Sequence, residues 1–254
     1  MFGLTLRRDQ VAVLLIDDDL VSREVTATLL TLNGYTVHTA ETGAEALKLL
    51  MTVSPAPEII LMDAQMPGLS GTELIGQMRA RSRARILAIS GSALPRELID
   101  VTDGFLIKPF EVEAMEKVLE RRVSPEAAAT AVSMLEPDAP VINMEVLGQL
   151  RKLMPEVAVR QIYRAVVTDL DQRATALAKA LAKRDLAEAS RIGHAIKGGC
   201  AMAGAAQAAR LGALIEKGAR MESGNQLDNA EALVGDLRAA ARAVESMLDP
   251  ELPK

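Results

Sequence analysis

The 254-residue chain is 49% hydrophobic and 25% charged, ordinary values for a soluble globular protein with room for one large or two modest domains. Aromatics are 2% with no Trp, and net charge is −5, with 13 basic against 17 acidic residues through Val123 and 16 against 17 after it. That excludes both the stacking platforms and the positive excess of a nucleic-acid binder. A single cysteine, Cys200, rules out an intramolecular disulfide and a multi-cysteine zinc site. No apolar run approaches the ~18 residues of a membrane span, and Arg7-Arg8 precede no apolar signal core. The expectation is a cytoplasmic protein with no membrane partner and no direct nucleic-acid partner.

Through residue 122, short apolar runs alternate with amphipathic stretches. Val11–Ile16 is an apolar run ending in Asp17, Asp18 and Asp19, and a helix is expected over Leu20–Leu32, stopped by Asn33-Gly34. Tyr35–Ala40 reads as a strand and Gly43–Met51 as a helix. Glu58–Met62 reads as a strand buried on both faces, cut off at Asp63 before a loop with Pro67, Gly68 and Gly71. A helix over Thr72–Arg81 and a strand over Ile86–Ile89, ending at Ser90-Gly91, follow. The run closes with a short helix Leu94–Val101, a strand Phe105–Ile107 ending at Lys108-Pro109, and a helix Glu111–Arg122. Such alternation implies a parallel sheet covered on both faces. The basic cluster Arg79, Arg81, Arg83 and Arg85 reads as a solvated loop.

Asp17, Asp18, Asp63, Ser90 and Lys108 fall at the C-terminal ends of different strands. A doubly wound sheet brings those ends to one edge, where open parallel sheets place their ligands. A strand-ending Asp by itself also starts turns, so the convergence carries the weight. Three carboxylates placed together repel, and a hard divalent cation such as Mg²⁺ offsets that repulsion. Lys108 adds a compact positive charge and Ser90 a hydroxyl, a set suited to holding a phosphoryl group on a carboxylate oxygen.

The segments IDDD, LMDAQMPGLSG, AISGS and LIKPF, in this order, resemble the four signature regions of the response-regulator receiver domain across residues 9–122. The resemblance implies a flavodoxin-like fold with Asp63 as phosphoryl acceptor. It implies Asp17 and Asp18 as the acidic pair on Mg²⁺, with Asp63 and the backbone carbonyl of Gln65 as further ligands. Ser90 becomes the switch hydroxyl, Lys108 the lysine that contacts the phosphoryl group, and Phe105 the switch aromatic. Two departures stand out. Ser replaces the commoner Thr, and the Ser90–Lys108 interval is about one helical turn short, on a face that many receivers use for output.

Val123–Pro140 carries three prolines and an Ala/Ser/Thr run, and it reads as a boundary, with Glu126–Leu135 a candidate helix. A flexible linker of that length spans about 20–25 Å on average. Beyond it the pattern is helical. Met144–Leu153 is short and amphipathic, and Ile162, Val166, Leu170, Leu177 and Leu181 stripe a long helix entered at Pro155. Asp185 caps a third helix running to about Met202, and Ala205–Arg220 forms a fourth with Leu211, Leu214 and Ile215 inward. Leu233, Leu237, Val244 and Leu248 stripe a fifth. These imply an all-α four-helix bundle with an accessory helix.

At about 100° per residue, Ala189, Ile192, Ile196 and Gly199 of the third helix face inward and His194 faces away from them. Arg191 and Lys197 lie one turn to either side of it. An exposed helical histidine is usually only solvated. Two adjacent glycines inside a helix, at about 1 kcal/mol each relative to Ala, point instead to a surface kept clear for a partner. The segment HAIKGGCAMAG resembles the His-x-x-Lys-Gly signature of histidine phosphotransfer (HPt) domains. That resemblance implies His194 as phosphoacceptor, Lys197 as phosphoryl neighbour and Gly198 as the clearance residue.

The expected organisation is a receiver domain over 1–122, a linker over 123–140 and an HPt domain over 141–254. Function is then phosphorelay, with phosphoryl groups on Asp63 and His194. No nucleotide-binding loop is present in the sequence, so the expected partners are a separate histidine kinase and a downstream receiver protein. The alternative is a phospho-switched regulatory protein whose bundle binds partners without phosphate transfer. An aspartyl-phosphate phosphatase fits less well, since the resembling hydrolases carry the nucleophile after the first strand.

Overall fold

The computed structural model describes residues 11–66, 71–91, 96–108, 110, 112–120, 139–220 and 230–248. The chain divides into two compact units. In the N-terminal one, β1 (Ala12–Ile16), β2 (Thr36–Ala40), β3 (Ile59–Asp63), β4 (Arg85–Ser90) and β5 (Gly104–Ile107) form one parallel sheet, ordered β2-β1-β3-β4-β5. They alternate with α1 (Leu20–Leu32), α2 (Gly43–Thr52), α3 (Gly71–Arg79), α4 (Arg96–Ile99) and α5 (Val112–Glu120). Strand order reverses between β1 and β3, which opens a crevice at their C-terminal ends. Asp17 directly follows β1 and Asp63 ends β3.

The apolar runs become strands because both sheet faces are buried. One layer joins Leu14, Ile16, Ile60, Met62 and Ile86 to Leu74 and Met78 of α3 and Leu98 of α4. The opposite layer joins Val13, Leu15, Leu61, Leu87 and Ile89 to Leu30 of α1 and Met115 of α5. Register pairs Ile16 with Met62, Asp63 with Ile89 and Ser90 with Ile107, so the strand ends that carry polar residues lie level.

The arginine cluster departs from expectation. Arg79 pairs with Asp103 at 2.7 Å, and Arg85 donates to the Leu119 carbonyl, so two of the four tie elements together instead of lining a solvated loop. Of the expected helix Leu94–Val101, the described residues form a single turn, Arg96–Ile99, and residues 92–95 lie outside them. Pro67, Gly68, Pro109, the ends of the expected helix to Arg122 and most of the 123–140 segment, with its candidate helix Glu126–Leu135, lie outside the described residues.

The C-terminal unit contains α6 (Met144–Leu153), α7 (Glu156–Ala182), α8 (Leu186–Ala203), α9 (Ala206–Arg220) and α10 (Ala230–Ser246). Asn143 caps α6 by accepting from the Glu145 and Val146 amides, and Asp185 caps α8 by accepting from Glu188. Helices α7 to α10 close a four-helix ring in which α8 and α10 each pack against both α7 and α9, while α6 packs on α7 and α8. Ile162, Val166, Leu170 and Leu177 form the buried stripe of α7 as their spacing requires.

The buried face of α9 differs from the expected leucine stripe. Leu214 is 42% exposed, and Gly212, Ile215, Glu216 and Ala219 turn inward. The reason is a close helix approach. A Cβ on Gly193 would stand 2.8 Å from the Gly212 carbonyl oxygen and 2.5 Å from the Glu216 nitrogen. A Cβ on Gly212 would stand 2.5 Å from the Lys197 nitrogen. The two glycines let the α8 and α9 backbones meet where leucines would hold them apart. Gly212→Ala should therefore destabilise the helical unit by about 1–3 kcal/mol, read as earlier loss of amide-exchange protection in α8 and α9 under urea. Gly148→Ala, where a Cβ meets nothing within 4 Å, should not.

Candidate functional site

Two polar clusters stand out, one in each unit. In the first, Asp17 and Asp63 are arranged alike. Each carboxylate gives one oxygen to the amide two residues on: Asp17 Oδ1 accepts from Asp19 at 2.9 Å and Asp63 Oδ1 from Gln65 at 2.8 Å. Each gives its other oxygen to Lys108, whose Nζ lies 2.6 Å from Asp17 Oδ2 and 2.6 Å from Asp63 Oδ2. Burial alone would lower the Lys108 pKa, but the two carboxylates outweigh it and hold the ammonium above its ordinary 10.5.

Asp18 is exposed, and one oxygen from each of Asp17, Asp18 and Asp63 can lie within 4.8 Å of the others. The donors of this cluster are all oxygen, which suits a hard divalent cation. Ser90 is fully buried at the end of β4, and its carbonyl accepts from the Lys108 amide at 2.8 Å. Phe105 pairs in register with Ala88, two residues back from Ser90 on the same sheet face, and is half-buried. The structure thus gathers Asp17, Asp18, Asp63 and Lys108, sets Ser90 beside Lys108, and leaves Phe105 farther down the sheet.

The second cluster surrounds a residue that periodicity does not single out. Glu216 of α9 has a side chain only 9% exposed, and three cationic or ring donors converge on it. His194 Nδ1 lies 3.0 Å from Oε1, Arg220 2.7 Å from Oε1, and Lys197 Nζ 3.4 Å from Oε2. Burial would raise the Glu216 carboxyl's pKa, but the His194 hydrogen bond and the charges of Lys197 and Arg220 carry it below its ordinary 4.5. A carboxylate only accepts, so His194 Nδ1 is the donor, which in the neutral imidazole leaves the lone pair on Nε2.

The helical wheel sends His194 straight away from the bundle. In the structure its side chain is 32% exposed, because α9 lies along that flank through the Gly193–Gly212 contact. Arg191, expected beside the ring, instead pairs with Glu188 one turn back. Gly198 is exposed, and a Cβ there would meet nothing within 4 Å among the described residues, so the surface beside the ring is clear of them. The missed signal for Glu216 is a carboxylate four residues after Gly212, on the face that its small neighbours bury.

A response regulator receiver domain model matches residues 13–120 and an Hpt domain model matches residues 161–247. The chain carries a receiver domain followed by an Hpt domain. That pairing is the domain composition of a two-component phosphorelay protein. The chain is 31% identical over 201 residues to the sensor histidine kinase AruS of Pseudomonas aeruginosa, covering 76% of this chain and 19% of the kinase. It is 35% identical over 132 residues to the response regulator MprA of Mycobacterium tuberculosis, covering 49% of this chain and 56% of the regulator. It therefore spans about a fifth and about half of these relatives. Among solved structures, chemotaxis protein CheY4 of Vibrio cholerae matches at 29% identity and a TM-score of 0.39, over 44% of this chain and 98% of that one. Among the described residues, no helix is long and apolar enough to cross a membrane.

The lowered Glu216 carboxyl has a consequence for stability. A group whose folded pKa is depressed contributes stability above its unfolded pKa and loses it as pH falls through the folded value. Exchange protection in α8 and α9 should therefore fall below about pH 4.5. Glu216→Gln should lower protection at pH 7 and flatten this acid limb, checked by amide exchange between pH 3 and pH 7.

Proposed function

We propose that the chain is a phosphorelay intermediate in which Asp63 and His194 each carry a phosphoryl group, received from a separate histidine kinase and passed to a downstream receiver protein. The observation that carries this reading is that both ends of a transfer step are prearranged in one chain. Asp63 lies against a buried lysine, and His194 is held in one tautomer by Glu216. The AruS match runs well beyond the receiver's own length, which supports a histidine kinase as the partner class. Function is assigned to a receiver domain over 1–122 and an HPt domain over 141–254, joined by 123–140, working in the cytoplasm without direct nucleic-acid contact.

The chemistry follows from the two sites. The lone pair on His194 Nε2 attacks phosphorus, a P–N bond forms and the bond to the donor carboxylate oxygen breaks. The donor oxygen leaves with its electron pair. Positive charge develops on the ring, and Glu216, already bound to the Nδ1 proton, stabilises it without a proton changing hands. In the reverse sense, an Asp63 oxygen attacks phosphorus and the neutral imidazole leaves with the electron pair on Nε2. Lys108 and Lys197 offset charge on the phosphoryl oxygens, Ser90 offers its hydroxyl and Gly198 leaves room for the partner surface. Mg²⁺ held by Asp17, Asp18, Asp63 and the Gln65 carbonyl would supply further charge neutralisation, and the grouping of three carboxylates fits it. Phe105 is assigned the switch role, following Ser90 toward a phosphorylated Asp63.

Labelling each variant separates the two sites. With a small phosphodonor and Mg²⁺, the chain should take alkali-labile label that Asp63→Asn abolishes. With a phosphorylated receiver, it should take acid-labile label that His194→Gln abolishes. Signalling retained in His194→Gln would favour the phospho-switched binding protein instead.

Lys108→Met should lower the receiver's melting temperature in chelator, since removing one partner of a buried charge cluster costs about 3–5 kcal/mol. Mg²⁺ should then restore more stability to this variant than it adds to the unaltered chain. Thermal melts with and without Mg²⁺ check this, and equal Mg²⁺ responses would remove the acidic cluster as the metal site.

A further inference from the structure

Glu216 binds the His194 ring and two cations at once. Nδ1 of the ring lies 3.0 Å from Oε1, which also takes Arg220 at 2.7 Å, while Oε2 faces Lys197 at 3.4 Å. The carboxylate side chain is only 9% exposed, so its bond to the ring proton is stronger than it would be in water. Charged groups on the helices packed around α8 are tied elsewhere. Arg191 of α8 pairs with Glu188, the buried Asp169 of α7 with Arg173, and Arg151 of α6 with Glu156. Among the described residues, Glu216 is the anion that bonds the ring.

The two directions of transfer ask different things of Nδ1. In acceptance, Nε2 attacks phosphorus and a neutral ring becomes a cation, its Nδ1 proton in place throughout. In release, a carboxylate oxygen bonds to phosphorus while the P–N bond breaks and its electron pair returns to Nε2. With the Nδ1 proton present, the ring departs as neutral imidazole. Without it, the ring must depart as an imidazolate anion, a far poorer leaving group. A free phosphoimidazole sheds this proton as pH rises past the ordinary histidine range, about 6.5. A bonded carboxylate opposes that loss. Taking Glu216 away would also leave Lys197 and Arg220 beside the ring without the anion they share, and both disfavour a proton there.

We propose, on the reading that His194 carries a phosphoryl group, that Glu216 is the positioning residue for its release. The carboxylate keeps the Nδ1 proton on the phosphorylated ring, so donation from His194 holds its rate as pH rises through neutrality. Acceptance starts from the neutral ring, which keeps one proton at any pH above the histidine range. Losing Glu216 therefore slows acceptance by a constant factor and slows release by a factor that grows with pH.

The donor for the test is the full chain with Asp63→Asn, labelled on His194 by phosphoramidate. The acceptor is the full chain with His194→Gln, in Mg²⁺. Release is followed between pH 6 and pH 9 from donors with and without Glu216→Gln, beside loss to water, which breaks the same bond. Both donors meet the same acceptor, so its own pH dependence cancels in the ratio of rates. That ratio, variant over parent, should fall at least about tenfold from pH 7 to pH 8.5, while the ratio for labelling of His194 stays level. Arg220→Gln disturbs the same cluster but keeps the carboxylate, and its ratios should stay level in both directions. In ring ¹⁵N spectra of the unlabelled chain, with only His38 and His194 to assign, His194 should hold its proton on Nδ1 at pH 8. No acid-labile label on His194 removes the relay reading and this role with it. Three results overturn the role and leave the relay standing: a level release ratio for Glu216→Gln, an equal slope for Arg220→Gln, or a proton on Nε2 at pH 8.

Discussion

Lys108 between Asp17 and Asp63 is the interaction on which the receiver's polar edge depends. Asp17 is fully buried and Asp63 half-buried, and two carboxylates so placed are tolerable only with a cation between them. The sheet makes that geometry available. Three strands from distant parts of the chain end level, and the order reversal between β1 and β3 opens the crevice in which the ammonium lies. The Asx turns at Asp17 and Asp63 complete it. Each commits one oxygen to the local backbone and leaves the other for the lysine.

The helical unit solves the opposite problem. There a single carboxylate, Glu216, is buried among His194, Lys197 and Arg220, and the Gly193–Gly212 approach is what brings it within reach of the ring.

Much of this was legible in the residues, for identifiable reasons. VAVLLI and EIILMD are apolar runs too short for helices and bounded by polar residues, so strand, face and edge all follow from them. Asp17, Asp63 and Lys108 could be brought together because a parallel sheet has only one C-terminal edge. His194 could be singled out, but its environment could not, because a helical wheel describes one helix and not the neighbour lying against it. Leu211 and Leu214 outweigh Gly212 on any hydrophobic scale, yet the close approach of two backbones turns the glycine inward. Glu216 follows the glycine to the buried face. Arg79 and Arg85 look like loop cations in the sequence for a similar reason, since their acceptors, Asp103 and the Leu119 carbonyl, lie far along the chain.

The bonding of Asp63 also bears on which of its oxygens can accept a phosphoryl group under the proposed relay. Oδ1 is engaged by the Gln65 amide, and taking it would break the turn that orients the carboxylate. Among the described residues, Oδ2 is engaged by Lys108. An ammonium has three protons, and one remains anchored on Asp17 while another moves from Oδ2 to a phosphoryl oxygen. Acceptance at Oδ2 thus keeps the Asp17–Lys108 pair and the backbone turn, whereas acceptance at Oδ1 breaks the turn. The same lysine that makes the resting site tolerable is therefore positioned to follow the phosphoryl group, while its backbone amide stays fixed to the Ser90 carbonyl.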